Sequence, residues 1–295
     1  MPVKIWTTSS PHGILDHSYP TPAATEEACR VVHFKGRLYC VYIDGVRELD
    51  GVKVISKASN AGLWSEPATV SATPVRWTPC IFTFKDRLHV IQATTLGTTE
   101  LLTLDEASGL FVLERVLSLS LEMTPSVAVL AGRLHLFFHV HDNAVNLWMR
   151  STFDLKDWSR SETVKSDGVN SIHSYLSPLA ITYQRLVHLI YKDASGDFYL
   201  LKHDGLRQWS RAQLLVRGDY PCSPAAVVHN GLLKLLFTRA TADTRGPDAI
   251  HEIHQYAYDG NVLGPLQAST ALGATNSPGA AVQDGVLHVL YRGKS

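Results

Sequence analysis

Thr124-Pro125-Ser126-Val127-Ala128-Val129, followed by Ala131-Gly132-Arg133-Leu134-His135-Leu136-Phe137-Phe138, decides the fold, because the pattern recurs along the chain. Thr78-Pro79-Cys80-Ile81-Phe82 leads to Lys85-Asp86-Arg87-Leu88-His89-Val90-Ile91. Ser177-Pro178-Leu179-Ala180-Ile181 leads to Leu186-Val187-His188-Leu189-Ile190-Tyr191. Ser223-Pro224-Ala225-Ala226-Val227-Val228 leads to Asn230-Gly231-Leu232-Leu233-Lys234-Leu235-Leu236-Phe237. Ser277-Pro278-Gly279-Ala280-Ala281-Val282 leads to Asp284-Gly285-Val286-Leu287-His288-Val289-Leu290-Tyr291. The first copy is Ala28-Cys29-Arg30-Val31-Val32 with Lys35-Gly36-Arg37-Leu38-Tyr39-Cys40-Val41-Tyr42, where cysteine takes the place of proline.

The anchors at 29, 79, 125, 178, 224 and 278 are 50, 46, 53, 46 and 54 residues apart. A period near 50 marks a repeat architecture. In each copy the first run is small and apolar, as a strand buried on both faces requires. A tight turn then leads to a second strand rich in Leu, Val, Phe and Tyr. Third strands follow at Val52–Ser56, Val145–Met149, Asp197–Leu201 and Glu252–Tyr256, and Trp64-Ser65, Trp158-Ser159 and Trp209-Ser210 mark the junction to an outer strand. No helical periodicity is sustained. The expected fold is an all-β, six-bladed β-propeller forming one domain over residues 1–295, with blades starting near 26, 76, 122, 175, 221 and 275. The sixth copy stops after its second strand. Lys4-Ile5-Trp6-Thr7 resembles Asn146-Leu147-Trp148-Met149, so residues 1 to 22 are expected to complete the last blade and hide two open strand edges.

Composition excludes several function classes. Lys plus Arg equals Asp plus Glu at 27 each, which argues against a nucleic-acid partner. No run approaches the roughly 18 apolar residues of a membrane span. Met1-Pro2-Val3-Lys4-Ile5-Trp6 lacks the apolar stretch of a signal peptide, so the expected location is cytoplasmic, or secreted without a classical signal. Cys29, Cys40, Cys80 and Cys222 have no metal or redox spacing and read as buried small hydrophobes. His89, His135, His188 and His288 share one second-strand position, where the other copies have Tyr39 and Lys234. Rotational symmetry keeps such positions too far apart for one ion, so they read as imidazoles bonded between strands or blades. His139 with His141 and Asp142, and His251 with His254, are expected on loops or edges. No metal and no cofactor are expected.

Ser151-Thr152-Phe153-Asp154-Leu155-Lys156-Asp157-Trp158-Ser159 and His203-Asp204-Gly205-Leu206-Arg207-Gln208-Trp209-Ser210 resemble degenerate Asp-boxes of the sialidase superfamily. The order Ser-x-Asp-x-Gly-x-x-Trp is not kept intact in either. The whole-chain plan also resembles fungal and bacterial sugar-binding propellers, which implies repeated ligand sites. The resemblance covers the chain at the level of pattern.

The residues just before the inner strands are expected to ring one mouth of a central channel, and they differ from copy to copy where the strands do not. Glu26, Glu27, Arg76, Trp77, Glu122, Tyr175, Tyr220 and Asn276 are therefore the candidate ligand-binding residues. The expected function is carbohydrate or small-ligand binding, at the mouth or between blades, without catalysis. The alternative is a glycoside hydrolase using Glu26 or Glu27 with Glu122, since such enzymes need two carboxylates about 5–10 Å apart. A sialidase would need three arginines, and only Arg76 is suitably placed. A protein-interaction scaffold is a third reading. Arg37, Arg87 and Arg133 recur in the first hairpin and read as solvated, and the recurring tryptophans read as packing at blade edges. The polar segment Thr238–Asp248 reads as a protruding insertion.

Overall fold

The computed structural model describes residues 2–8, 17–25, 27–45, 48–58, 62–140, 145–205, 209–218, 220–240, 251–274 and 276–293. They form an all-β propeller of four-stranded antiparallel sheets. Five blades are contiguous meanders, each written from its inner strand outward. Sheet I is Arg30–Phe34, Arg37–Ile43, Val52–Lys57 and Ala68–Ser71, and sheet II is Cys80–Phe84, Arg87–Ala93, Thr99–Asp105 and Leu110–Leu117. Sheet III is Ser126–Leu130, Arg133–Phe138, Trp148–Thr152 and Glu162–Thr163. Sheet IV is Leu179–Tyr183, Leu186–Lys192, Phe198–His203 and Gln213–Val216. Sheet V is Ala225–His229, Leu232–Ala240, His251–Tyr258 and Leu263–Ala274.

A further four-stranded sheet, VI, is composite. Gly279–Gln283 and Val286–Arg292 pair with Pro2–Thr8, which pairs in turn with His17–Ala24. Trp6 faces Val289 and Val3 faces Arg292 across the seam. A two-stranded ribbon, Lys165–Ser166 with Asn170–Ser171, follows sheet III and has no counterpart in the sequence expectation.

All six first hairpins turn in two residues of positive φ. They are Lys35-Gly36, Lys85-Asp86, Ala131-Gly132, Gln184-Arg185, Asn230-Gly231 and Asp284-Gly285. This is the turn whose twist matches that of the flanking strands, and it fixes the register of each repeat. The inner strands pack side by side in the order I, II, III, IV, V, VI and back to I. Their small side chains line a central channel of 530 Å³. The larger side chains of the second and third strands fill the spaces between neighbouring sheets, as where Leu134, Leu136 and Phe138 of sheet III meet Ile91 and Leu101 of sheet II. The anchor prolines are buried at the channel rim.

The histidine expectation holds only in part: His89 Nδ1 bonds Thr103 Oγ1 of the neighbouring strand at 2.8 Å, but His188 Nδ1 meets the Leu186 carbonyl of its own strand and neither ring nitrogen of His135 has a hydrogen-bond partner. His89, His135, His188 and His288 are all buried, as is Lys234. His135 faces His203 of the next sheet at 6.2 Å, and His188 faces Tyr258 at 5.8 Å. Two smaller expectations change. His251 and His254 lie inside a strand rather than on a loop, with His254 buried against Tyr220. Thr238 ends no strand: it is buried within Leu232–Ala240 and donates to the Asn276 carbonyl at 3.1 Å. His141, Asp142 and residues 241–248 lie outside the described residues.

Candidate functional site

The segments preceding the inner strands converge on one channel mouth, as expected. They enclose a cavity of 290 Å³ to which Glu27, Trp77, Tyr175 and Asn276 contribute. Five hydroxyls ring it, because Thr78, Thr124, Ser177, Ser223 and Ser277 each precede an anchor proline. Arg30, the first residue of the sheet I inner strand, lines both this cavity and the channel beneath it.

Three of the expected site residues do not line the mouth cavity, and Glu26 lies outside the described residues. Arg76 and Glu122 are half-buried in turns whose backbone amides donate to Ala93 and His139 carbonyls at 2.9 and 3.0 Å. Tyr220 is a correction to the rim expectation. Its ring is 3% exposed and packs on Phe198 and Phe237 between sheets IV and V. Its hydroxyl meets Tyr256 Oη at 3.1 Å and His254 Nδ1 at 3.4 Å, and desolvation there raises its pKa far above the ordinary phenol value. A large ring beside an apolar cleft gains more from burial than from the rim. Glu122 therefore does not line the mouth cavity with Glu27, and Glu26, the other acid of the hydrolase alternative, lies outside the described residues.

A larger cavity of 500 Å³ lies in the groove between sheets III and IV. Arg133 starts the second strand of sheet III, and His135 follows two residues later on the same face. Glu162 comes from the outer strand, while His203 and Trp209 come from sheet IV. The ribbon closes one rim with Lys165 and Gly168, and Ser166 Oγ ties it to sheet IV by accepting from the Ala212 amide at 3.1 Å. Trp209 is buried, with its ring 4.7 Å from His203 and 5.7 Å from Phe137. Arg133 lies over the Phe153 ring at 5.1 Å.

The Trp-Ser junctions build this wall. Ser65, Ser159 and Ser210 each accept the amide of the facing strand residue (Ser56, Ser151 and Lys202) at 2.9 Å. Each then donates to the carbonyl of its following residue at 3.1 Å. In the segment that resembles an Asp-box, Asp154 Oδ1 accepts the amides of Lys156 and Asp157 at 2.8 and 2.9 Å, which lowers its pKa. Trp158 Nε1 donates to the Leu155 carbonyl at 3.1 Å. The tryptophans thus sit at blade edges as expected, and they also wall the inter-blade grooves.

The groove's polar groups are not used up by the protein. Among the described residues, neither Arg133 nor Glu162 belongs to an ion pair, and no partner meets Arg133 Nε or either ring nitrogen of His135. Burial and the neighbouring His203 and Arg133 hold the His135 pKa down to about 4, so its ring is neutral at pH 7. Such a set can donate from the guanidinium, accept at the carboxylate and do either at the imidazole. The sequence reading missed this site. Its signals were the recurrence of Arg37, Arg87 and Arg133, that of the Trp-Ser pairs, and the long interval of 53 residues that holds the ribbon. Among the described residues no cluster of His, Cys, Asp and Glu is placed to hold a metal ion.

No family model matches the chain, and no curated protein matches it either. Solved structures share its fold. The SapL1 lectin in complex with α-methyl fucoside superposes with a TM-score of 0.65 at 12% identity, over 87% of this chain and 85% of that one. A mutant of the Aleuria aurantia lectin, in complex with Fucα1-6GlcNAc, gives 0.63 at 8% identity, over 90% and 88%. An α-L-arabinofuranosidase from Clostridium thermocellum gives 0.54 at 14% identity, over 82% and 95%. At such identities the likeness is one of fold.

Proposed function

We propose that the protein is a carbohydrate-binding propeller that holds a sugar in the groove between sheets III and IV and performs no chemistry on it. One observation carries this reading: Arg133, Glu162 and Trp209 line a single 500 Å³ cavity in which the arginine and the carboxylate are not spent on each other. The size lies within the roughly 300–1,000 Å³ of small-ligand sites. A planar guanidinium and a carboxylate suit the paired hydroxyls of a sugar ring, and an aromatic wall suits its apolar face. Two of the solved structures with this fold are lectins described with fucosides, so fucosides head the panel to be tried. That Glu122 does not line the mouth cavity beside Glu27 weighs against the hydrolase alternative in the form that pairs those two.

The reading extends to the whole chain as one domain of six blades, with the composite sheet as the sixth. It is supported by the cyclic packing of six inner strands and by the seam between Pro2–Thr8 and Val286–Arg292. Screening on a glycan array tests the function. At least one glycan class is expected to bind, and Arg133→Ala is expected to weaken that glycan at least tenfold. Silence across a broad array would sink the reading.

A further inference from the structure

The central channel departs from its own symmetry at one residue. The position after each anchor is Cys80, Ser126, Leu179, Ala225 and Gly279 in sheets II to VI, all uncharged, yet it is Arg30 in sheet I. Arg30 therefore places a guanidinium where the other inner strands present thiol, hydroxyl, methyl groups or hydrogen. It stands at the boundary between the mouth cavity and the channel. Its Nη1 donates to the Cys29 carbonyl at 3.3 Å, and among the described residues it belongs to no ion pair.

The ionisable groups that bear on it are the thiols of Cys80, Cys29 and Cys222. Burial pushes the Cys80 thiol up to about 12 and the Cys222 thiol up to about 11, so both are neutral at pH 7 and supply no counter-charge. Glu27 lines the same rim, and no ion pair joins it to Arg30 among the described residues. Arg30 is half-buried, and a partly desolvated cation without a counter-ion favours a partner of opposite charge. Here the surroundings are those of a receptor: five hydroxyl-bearing residues, Trp77 and Tyr175 line the same cavity as Arg30.

We propose that the channel mouth binds a small organic carboxylate, its carboxyl group forked on Arg30 and its body held between Trp77 and Tyr175. One guanidinium supplies one positive charge and two parallel donors, which match a carboxylate. A phosphate dianion would need a second cation, and the described lining of the mouth provides none. This site is separate from the groove between sheets III and IV and does not depend on sugar binding there.

Calorimetric titration of benzoate and acetate, each beside its neutral amide, tests the proposal. Benzoate is expected to bind at least tenfold more tightly than benzamide, and inorganic phosphate no more tightly than acetate. Arg30→Met removes the charge and the fork and is expected to weaken benzoate at least tenfold, whereas Arg30→Lys keeps the charge but not the two parallel donors and is expected to give a smaller, intermediate loss. Glycan binding in the groove and the thermal midpoint are followed in the same variants, so loss of fold or failure of the sugar reading is seen separately. The proposal is overturned by equal binding of benzoate and benzamide, by an unchanged affinity in Arg30→Met, by phosphate outcompeting both carboxylates, or by no benzoate signal up to about 10 mM.

Discussion

The grooves on either side of sheet III are built from equivalent residues and end in opposite states. Between sheets II and III stand Arg87, His89, Glu114 and Trp158; between III and IV stand Arg133, His135, Glu162 and Trp209. In the first, the protein pairs the arginine and the glutamate with its own groups, and only the buried His89 Nε2 of this set is left without a hydrogen bond. Arg87 pairs with Glu114 at 3.5 Å, Thr103 donates to Glu114, and His89 Nδ1 bonds Thr103 Oγ1 at 2.8 Å. In the second, the residue facing His135 is Ser151, the counterpart of Thr103. Its hydroxyl turns instead to Ser159 of the Trp-Ser junction at 3.4 Å. Sheet II has no such junction. The closing motif of one blade thus withdraws the hydroxyl that would have joined histidine to glutamate, and the groove keeps donors and an acceptor that the protein does not pair with one another. A binding groove in this fold depends less on which polar residues recur than on whether the protein pairs them with one another.

The strongest way to break the comparison is to remove the walls. Trp209 is almost fully buried, so Trp209→Ala is expected to cost about 3–5 kcal/mol of stability. Trp158 is half-buried, and Trp158→Ala is expected to cost roughly half as much. Urea denaturation of both variants checks this, and equal costs would mean that the two walls are packed alike.

Acid sharpens the same contrast. The His135 pKa falls from about 6.5 in the unfolded chain to about 4 in the fold. Between those values the unfolded chain holds a proton that the folded chain refuses, so stability falls as pH drops through 6.5 towards 4 and is unaffected above that window. The loss at this one residue amounts to as much as about 2 kcal/mol between pH 7 and pH 5. His135→Gln is expected to remove that share of the acid loss. His89 is also depressed by burial, but Glu114 favours its charged form, so His89→Gln is expected to flatten the profile less. The urea midpoint at the two pH values measures both; identical profiles would contradict the difference.

The same two grooves show what could be read from residues alone. The repeat, the two-residue turns and the seam between the chain's ends were legible because they rest on local spacing and backbone chemistry. The mouth was legible in part. Glu27, Trp77, Tyr175 and Asn276 converge because the segments before inner strands share one end of the channel, whereas the fate of Tyr220 was set by Phe198 and Phe237, which are distant in sequence. The open groove was not legible. Arg133 and Trp209 belong to different sheets, and an unpaired arginine has the same sequence signature as a paired one. Arg30 stood inside the quoted repeat, yet its meaning rests on the small neighbours that surround it only once the ring forms.

The smallest expected effects concern the arginines themselves. If the groove between III and IV holds the sugar, Arg133→Ala lowers affinity about tenfold or more, since a hydrogen bond from a charged donor is lost. Arg87 is about half exposed and already paired, so Arg87→Ala is expected to change sugar affinity less than about twofold and stability by no more than about 0.5 kcal/mol. Calorimetry on the two variants with one glycan gives the ratio directly. A comparable loss from both would mean that the ion pair with Glu114 opens for ligand, and that the chain binds sugar on both sides of sheet III.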